Sequence, residues 1–198
     1  AERNAQVGKR TRVLNLGCGP AHEIQRFLEN EELSDLCDLT LLDFNAETIE
    51  YTQKALTKVR TQAGRVTPIS LLQRSVHQLL RQATTGDVDL QWESYDLVYC
   101  AGLFDYLSQR VCRRLNDLFV RLLAPGGLMV VTNVSDSNPS RAWMEFVLEW
   151  NLIYRDDAAM MEIAPLNGGQ FETELKRDIT GVNLFLEVRK RAKDGGSR

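Results

Sequence analysis

No apolar run in the 198 residues approaches the roughly 18 needed to cross a bilayer, and the first residues carry no secretory pattern. Cysteine is scarce: Cys18, Cys37, Cys100 and Cys112 are widely spaced, form no CxxC pair, and accompany two histidines. A disulfide framework has no support in that spacing, and no zinc ligand set is available, so no metal is expected. Reduced thiols in a cytoplasmic protein are the expectation. There is no internal repeat, no low-complexity stretch and no Pro-rich linker among the five prolines. One domain spanning 1–198 is therefore expected, with tails at 1–11 and 189–198. Nor is there a basic surplus, since 24 Lys and Arg face 27 Asp and Glu. Residues 1–12 are net +3 and residues 189–198 net +4, which leaves the body between them at −10. An acidic body argues against a nucleic-acid surface, which would need clustered Lys and Arg.

What is present alternates between strand-like and helix-like patterns, as in a parallel sheet covered by helices on both faces. Val13–Leu16, Leu39–Leu42 and Ile69–Leu72 read as the first three strands. Tyr95–Ala101 is the fourth, and Leu128–Asn133 the fifth, after a Pro125-Gly126-Gly127 stop. Helices are expected over Ala46–Thr61, Val76–Gln82 and the stripe Val111, Leu115, Leu118, Leu122, the last capped by Ser108. A loop follows at Thr84–Glu93, with Trp92 as an aromatic plug. Asn138 as N-cap and Pro139 at the first helical position predict a further helix to about Trp150. Phe171–Arg177 and Val182–Val188 close the chain as an antiparallel pair.

The first strand runs into Gly17-Cys18-Gly19-Pro20 and then a helix. Glycine suits a tight turn that must let a ligand approach the backbone, and a helix N-terminus adds a positive dipole end. Asp43 closes the second strand, where a carboxylate can accept from both hydroxyls of a ribose. A dinucleotide fingerprint would place a third glycine at position 22, which is His22. No GxxxxGK[ST] phosphate loop is present either. These absences favour a ribose-bearing cofactor without phosphates, and S-adenosylmethionine fits that description.

The ordered set Val13-Leu14-Asn15-Leu16-Gly17-Cys18-Gly19-Pro20, Asp43, Tyr95-Asp96-Leu97-Val98 and Leu123-Ala124-Pro125-Gly126-Gly127 resembles the signature of class I SAM-dependent methyltransferases. The resemblance covers about residues 12 to 190. It implies an α/β, Rossmann-like doubly wound seven-stranded sheet, mostly parallel with an antiparallel last strand. By position it implies that the Gly17-Cys18-Gly19 loop passes under the methionine part of the cofactor and that Asp43 holds the ribose. Phe44, Ser75 and Val76 would lie near the adenine, and Cys100 and Ala101 would floor the space between cofactor and acceptor. Asn15 departs from the family, many members of which carry an acidic residue there.

A narrower resemblance links Cys100–Leu107, Asn138–Arg141, Met144-Glu145 and Trp150–Arg155 to the methyltransferase domain of bacterial enzymes that make 3-hydroxy fatty acid methyl ester signals. It implies a fatty-acyl acceptor, and an upstream regulatory domain that would suit a chain opening at Ala1. Tyr106, at the end of the fourth strand, is placed for the acceptor. Trp143, Trp150 and Tyr154 divide evenly between a core stripe and an acceptor-pocket wall. Arg155 could pair an acceptor carboxylate, or its own neighbours Asp156 and Asp157. His22 divides between pocket rim and solvated helix, and His77 reads as surface. No general base stands out, so the catalytic residue is left open. A small or lipid-like acceptor with an oxygen nucleophile is the expectation. Its rivals are a SAM- or nucleoside-binding sensor without turnover and an RNA methyltransferase.

Overall fold

The computed structural model describes residues 1–6, 8–86, 89–166 and 169–192. A short helix α1 (Glu2–Ala5) precedes β1 (Thr11–Leu16), α2 (His22–Asn30), β2 (Cys37–Asp43) and α3 (Ala46–Gln62). Then come β3 (Ile69–Gln73), α4 (Val76–Thr85), β4 (Tyr95–Cys100) and α5 (Gln109–Leu122). The chain finishes with β5 (Leu123–Val134), α6 (Arg141–Phe146), α7 (Asp157–Glu162), β6 (Phe171–Arg177) and β7 (Asn183–Lys190). The strands form one sheet in the order β3-β2-β1-β4-β5-β7-β6. All neighbours are parallel from β3 to β5, and β7 inserts antiparallel between β5 and β6. This is the doubly wound, Rossmann-like seven-stranded sheet that the resemblance implies, with the last strand of the chain antiparallel.

Both faces of the sheet are buried. Val13, Leu39 and Leu41 pack with Ile24 and Leu28 of α2 and Leu56 and Val59 of α3 on one side. Leu14, Val98, Met129 and Leu186 pack with Leu80 of α4, Leu115 of α5 and Met160 of α7 on the other. Each such side chain contributes about 1.5–3 kcal/mol, which is why the strands read as apolar runs rather than alternations. Helix starts follow the sequence signals in part. Asn45 accepts from Thr48 N at 3.1 Å, and Ser75 and Gln78 form a reciprocal capping box at α4. Ser108 caps α5 without a side-chain bond. Trp92 is the plug expected, half-buried against the core with the Arg121 guanidinium 4.3 Å from its ring centroid.

Several expectations are corrected. Pro125-Gly126-Gly127 lies inside β5, because α5 passes directly into the strand at Leu123 and the three residues form an irregularity opposite Tyr95–Leu97. A Cβ on Gly127 would sit 2.8 Å from the Tyr95 carbonyl oxygen, so the register there requires glycine. The helix expected to run to Trp150 ends at Phe146. Asn138 caps a turn instead, accepting from Ser140 N at 3.0 Å, and Glu149 adopts φ 52°. The tails are shorter than read. Lys9 and the Arg12 amide both bind Asp96 at 2.9 Å, Thr11 already belongs to β1, and Arg189 and Lys190 belong to β7. Lys190 Nζ donates to the Leu123 carbonyl at 2.9 Å and to Glu93 at 3.0 Å. Residues 193–198 of the expected tail, and 87–88 of the expected loop, lie outside the described residues.

One buried side chain fixes the region beyond β4 and β5. Arg155 is 2% exposed. Its guanidinium donates to the Phe104 carbonyl at 2.9 Å, the Leu107 carbonyl at 2.6 Å, Gln109 Oε1 at 2.9 Å, Asn133 Oδ1 and Cys112 Sγ. Asp105, between two of those carbonyls, accepts from Val134 N at 2.7 Å, and its own carbonyl accepts from Ile153 N at 2.7 Å. Burial raises the Asp105 carboxyl above its ordinary value, while the Val134 amide and the Arg155 charge pull it back.

Replacing Arg155 by Met should therefore strand two backbone carbonyls and two side-chain amide oxygens. It should cost about 3 kcal/mol of unfolding free energy, read as a lower urea midpoint at unchanged slope; an unchanged midpoint would refute the role. A second expectation concerns the β6–β7 turn. Asp178 is drawn down to about 2, first by the Asn183 side chain and then by Thr180 and the amides of Asn183 and Val182. A depressed carboxylate stabilises fully above its ordinary value of 3.8 and loses that contribution as pH falls toward 2. Wild type should exceed Asp178→Asn in stability at pH 6, and the two should converge near pH 2 in parallel denaturation series.

Candidate active site

The carboxyl ends of β1, β2 and β4 meet at a crevice, where an open α/β sheet reverses its winding. A cavity of about 600 Å³ occupies it. The loop after β1 forms one wall, and its shape follows from four hydrogen bonds. Gly17 N and Cys18 N both donate to the Leu42 carbonyl, at 2.8 and 2.9 Å, and Gly19 N donates to Asp43 Oδ2 at 3.1 Å. Thr52 of α3 donates to the Gly19 carbonyl at 2.7 Å. Gly17 turns at φ 73°, and a Cβ there would sit 3.2 Å from the Leu103 side chain, which also lines the cavity.

These ties decide what the loop can bind. A phosphate cradle needs unspent amides pointing at the ligand. Here the three loop amides are consumed by β2, so the loop offers a close backbone surface rather than an anion nest. Asp43 is 8% exposed, lines the cavity, and also accepts from Asn45 N at 3.0 Å. A carboxylate has about four lone-pair directions, so two amides leave acceptor capacity for ligand hydroxyls. A nucleoside without phosphates fits these residues.

Of the expected cofactor residues, Gly17, Gly19, Asp43, Phe44, Ser75, Val76 and Ala101 line this cavity together. Phe44 stands 66% exposed at its edge, a flat apolar face open to a ring. Cys18 and Cys100 do not line it. Cys18 packs with Ala21, Ile24 and Leu28, where burial lifts its thiol to about 12. Cys100 lies wholly in the central core, and burial pushes its thiol up as well. Cys100 ends β4, where successive side chains point to opposite faces, and Cys18 is turned into the core under α2.

Asn15 also explains itself only in the fold. Its Nδ2 donates to Glu23 Oε1 at 3.2 Å, and Tyr99 OH donates to the same oxygen at 2.8 Å. A carboxylate thus sits beside position 15, supplied by the first turn of α2. Burial and the Glu23 charge push the Tyr99 phenol up, so it remains a donor.

The residues expected for the acceptor lie in different places. Tyr106 lines the cavity. Trp150 does not line it but donates from its indole nitrogen to Tyr106 OH at 2.6 Å. Trp143 stands exposed on α6. Tyr154 is half-buried under the Arg141 guanidinium, 4.5 Å from its ring centroid, and does not line the cavity. The three aromatics share no helical face, because the helix ends before two of them. His22 is exposed on the outer turn of α2, 3.4 Å from Gln25, away from the cavity. Arg155 is withdrawn as an acceptor partner: it is buried, and its donors are spent on carbonyls, amide oxygens and a thiol. The expected alternative, pairing with Asp156 and Asp157, is also absent; Asp157 pairs with Arg177 at 2.5 Å.

Sequence reasoning missed Leu16, Arg74, Gly102, Leu103 and Leu107, which line the cavity; His77 is the surface helix residue expected and lines the cavity as well. Gly102, Leu103 and Leu107 could have been found from their place just after the fourth strand, the side on which such sheets bind ligands. His77 is an exposed helical residue, and its neighbourhood was not encoded in its spacing. Among the described residues no cluster of three His, Cys, Asp or Glu could hold a metal, and no helix is long and apolar enough to cross a membrane.

Known structures share the fold. A crystal structure of a possible exported protein from Bordetella parapertussis superposes with a TM-score of 0.65 at 19% identity, covering 96% of this chain and 65% of that one. The N-methyltransferase NodS from Bradyrhizobium japonicum WM9, in complex with S-adenosyl-l-homocysteine, gives 0.58 at 18%, covering 96% and 86%. Magnesium protoporphyrin IX methyltransferase (ChlM) from Synechocystis PCC 6803, with bound SAH, gives 0.61 at 11%, covering 94% and 77%. The chain spans 65% of the Bordetella protein and 55% and 49% of two further matched chains. At these identities the likeness establishes the fold. No curated protein matches the sequence. The profile of a methyltransferase domain family matches residues 8–178, most of the chain and all of the cavity, and the chain belongs to that family.

Proposed function

We propose that the chain transfers a methyl group from S-adenosylmethionine to an oxygen of a small or lipid-like acceptor, in its finer form the carboxylate of a 3-hydroxy fatty acid. The observation that carries the cofactor half is the spent glycine loop beside Asp43, which suits a ribose and disfavours phosphates. S-adenosylmethionine, when bound, supplies a methyl already activated on a sulfonium. Gly17 and Gly19 give it a close backbone wall, Asp43 accepts from its ribose, and Phe44 and Val76 offer apolar surface to its base. The residues then need only exclude water and align the acceptor, since positioning alone can supply several kcal/mol or more of barrier reduction.

Tyr106 supports the oxygen-acceptor reading. An indole nitrogen is a donor only, so in the Trp150 bond the Tyr106 oxygen accepts and its hydroxyl proton is left to donate. A carboxylate suits such a donor. One of its oxygens can take the Tyr106 bond while the other stays free for the methyl, and it arrives ionised with no proton to remove. Apart from His77, and Asp43, which this reading assigns to the ribose, no cavity-lining side chain is a base candidate, in keeping with an acceptor of that kind.

Asp43→Ala should weaken S-adenosylhomocysteine binding by about 2–3 kcal/mol, because it removes the ribose acceptor and also frees Gly19. Thr52→Val loosens the same loop without touching the ribose and should cost about 1 kcal/mol. Calorimetry gives both numbers. Equal affinity for NAD, or an unaffected Asp43→Ala, would remove the cofactor reading.

For the acceptor, mass spectrometry of reactions with a ladder of 3-hydroxy acids should detect methyl esters. Apparent affinity should rise by about 0.8 kcal/mol per methylene until the apolar surface is filled. Tyr106→Phe should raise KM for the acids while leaving S-adenosylhomocysteine affinity unchanged. No ester at any chain length would sink the fatty-acid form and leave methyl transfer to another acceptor standing.

A further inference from the structure

A second apolar space lies between α4 and α5, with a volume of about 550 Å³. Val76, Leu80, Leu107 and Val111 supply its apolar surface, and Val76, His77 and Leu107 are shared with the cofactor cavity. The groove is thus continuous with the site above but runs outward along two helices.

Its charged side chains are all of one sign. Arg81 of α4 and Arg114 of α5 line it, and no acidic residue does so among the described residues. Most other arginines near the sheet are engaged: Arg74 pairs with Asp89 at 2.6 Å, Arg113 donates to the Glu162 carbonyl, and Arg121 stacks on Trp92. Arg81 and Arg114 make no ion pair or hydrogen bond among the described residues. Two unpaired guanidinium groups at an apolar groove stand out in a chain whose body is net −10. Thr84 and Thr85 also line the groove, but their hydroxyls donate back to Leu80 and Gln82 of their own helix.

We infer that the α4–α5 groove binds an anionic amphiphile, its hydrocarbon part on Val76, Leu80, Leu107 and Val111 and its anionic group on Arg81 and Arg114. Charge complementarity selects this occupant. A neutral apolar ligand would leave the guanidinium groups unused, and a cationic one would be repelled. Guanidinium forks match carboxylate and phosphate geometry and are weakly hydrated, so they bind such anions beside apolar surface at modest desolvation cost. A free amphiphile is favoured over a lipid surface, because Leu80 is buried and the floor is recessed between two helices. The inference goes beyond the acceptor reading and does not depend on it, since Arg81 and Arg114 do not line the cofactor cavity.

The probe is decanoate, titrated into the full chain saturated with S-adenosylhomocysteine and followed by NMR. Methyl resonances of Leu80 and Val111 report the groove, and the Trp150 indole N–H reports the acceptor side. Saturable shifts at Leu80 and Val111 are expected, weakened about fivefold or more in the Arg81→Gln/Arg114→Gln double variant. Both substitutions are at exposed positions, and an unchanged S-adenosylhomocysteine affinity verifies that the variant is folded. Decanol should bind the groove more weakly than decanoate. Equal affinity of decanol and decanoate, indifference to the double variant, or shifts confined to the Trp150 indole would each overturn the groove site. The last of these would leave the acceptor reading intact. Binding to anionic phospholipid vesicles with none to monomeric decanoate would overturn it too, in favour of a membrane surface.

Discussion

A buried guanidinium that donates to neutral acceptors holds the acceptor side of this molecule together. Arg155 reaches the Phe104 and Leu107 carbonyls at either end of the turn that carries Tyr106, and Asn133 near the end of β5. A buried charge without an ionic partner is costly unless its donors are matched, and five acceptors from the 104–107 turn, α5 and β5 match them here. That requirement draws the chain after α6 back against the sheet, where Ser135 and Arg155 form an isolated parallel bridge. Trp150 can then reach Tyr106. The geometry of one cavity wall is thus a consequence of satisfying one arginine.

The opposite wall is built by shorter means. Leu42, Asp43 and Thr52 take up the amides of Gly17, Cys18 and Gly19 and the Gly19 carbonyl, and all three lie at the end of β2 or on the helix that follows it. Asp43 has two structural tasks and one proposed binding task, which ties the cofactor's ribose to the shape of the loop beneath it. Loop and carboxylate are therefore expected to respond together when either is changed. The two walls meet where Leu103 limits Gly17, so a side chain at that glycine would press on the acceptor-side turn as well.

This difference in range accounts for what was legible in the sequence. A tight turn needs glycine at particular backbone angles, and a ribose needs a carboxylate at a strand end. Both demands fall within one βαβ unit, so the glycine turn and the carboxylate that binds it were legible from spacing alone. The burial of Cys18 and Cys100 was lost because a motif names positions and leaves open which face a side chain takes. Arg155 was misread for a deeper reason. Beside Asp156 and Asp157 it resembles a solvent-exposed ion pair, and nothing local reveals that its partners are backbone carbonyls about 50 positions away. The helix expected to reach Trp150 failed in the same way, since its apolar spacing was sound but the long-range pull on residues 153–155 outweighed helical propensity.

The electrostatic layout follows from the same division. The acidic body leaves few places where cationic side chains go unanswered, and two of those that do so lie beside the cavity on the α4–α5 side. On the acceptor side the arginines are occupied: Arg155 by carbonyls, Arg141 by Glu145 and the Tyr154 ring. An anionic acceptor at Tyr106 would therefore meet a hydroxyl donor and apolar surface rather than a full positive charge. A hydroxyl bond holds one carboxylate oxygen without neutralising the charge that the other needs as a nucleophile, whereas a guanidinium fork would engage both oxygens and blunt it. The withdrawal of Arg155 from the site thus fits methyl transfer to oxygen better than its presence would have done.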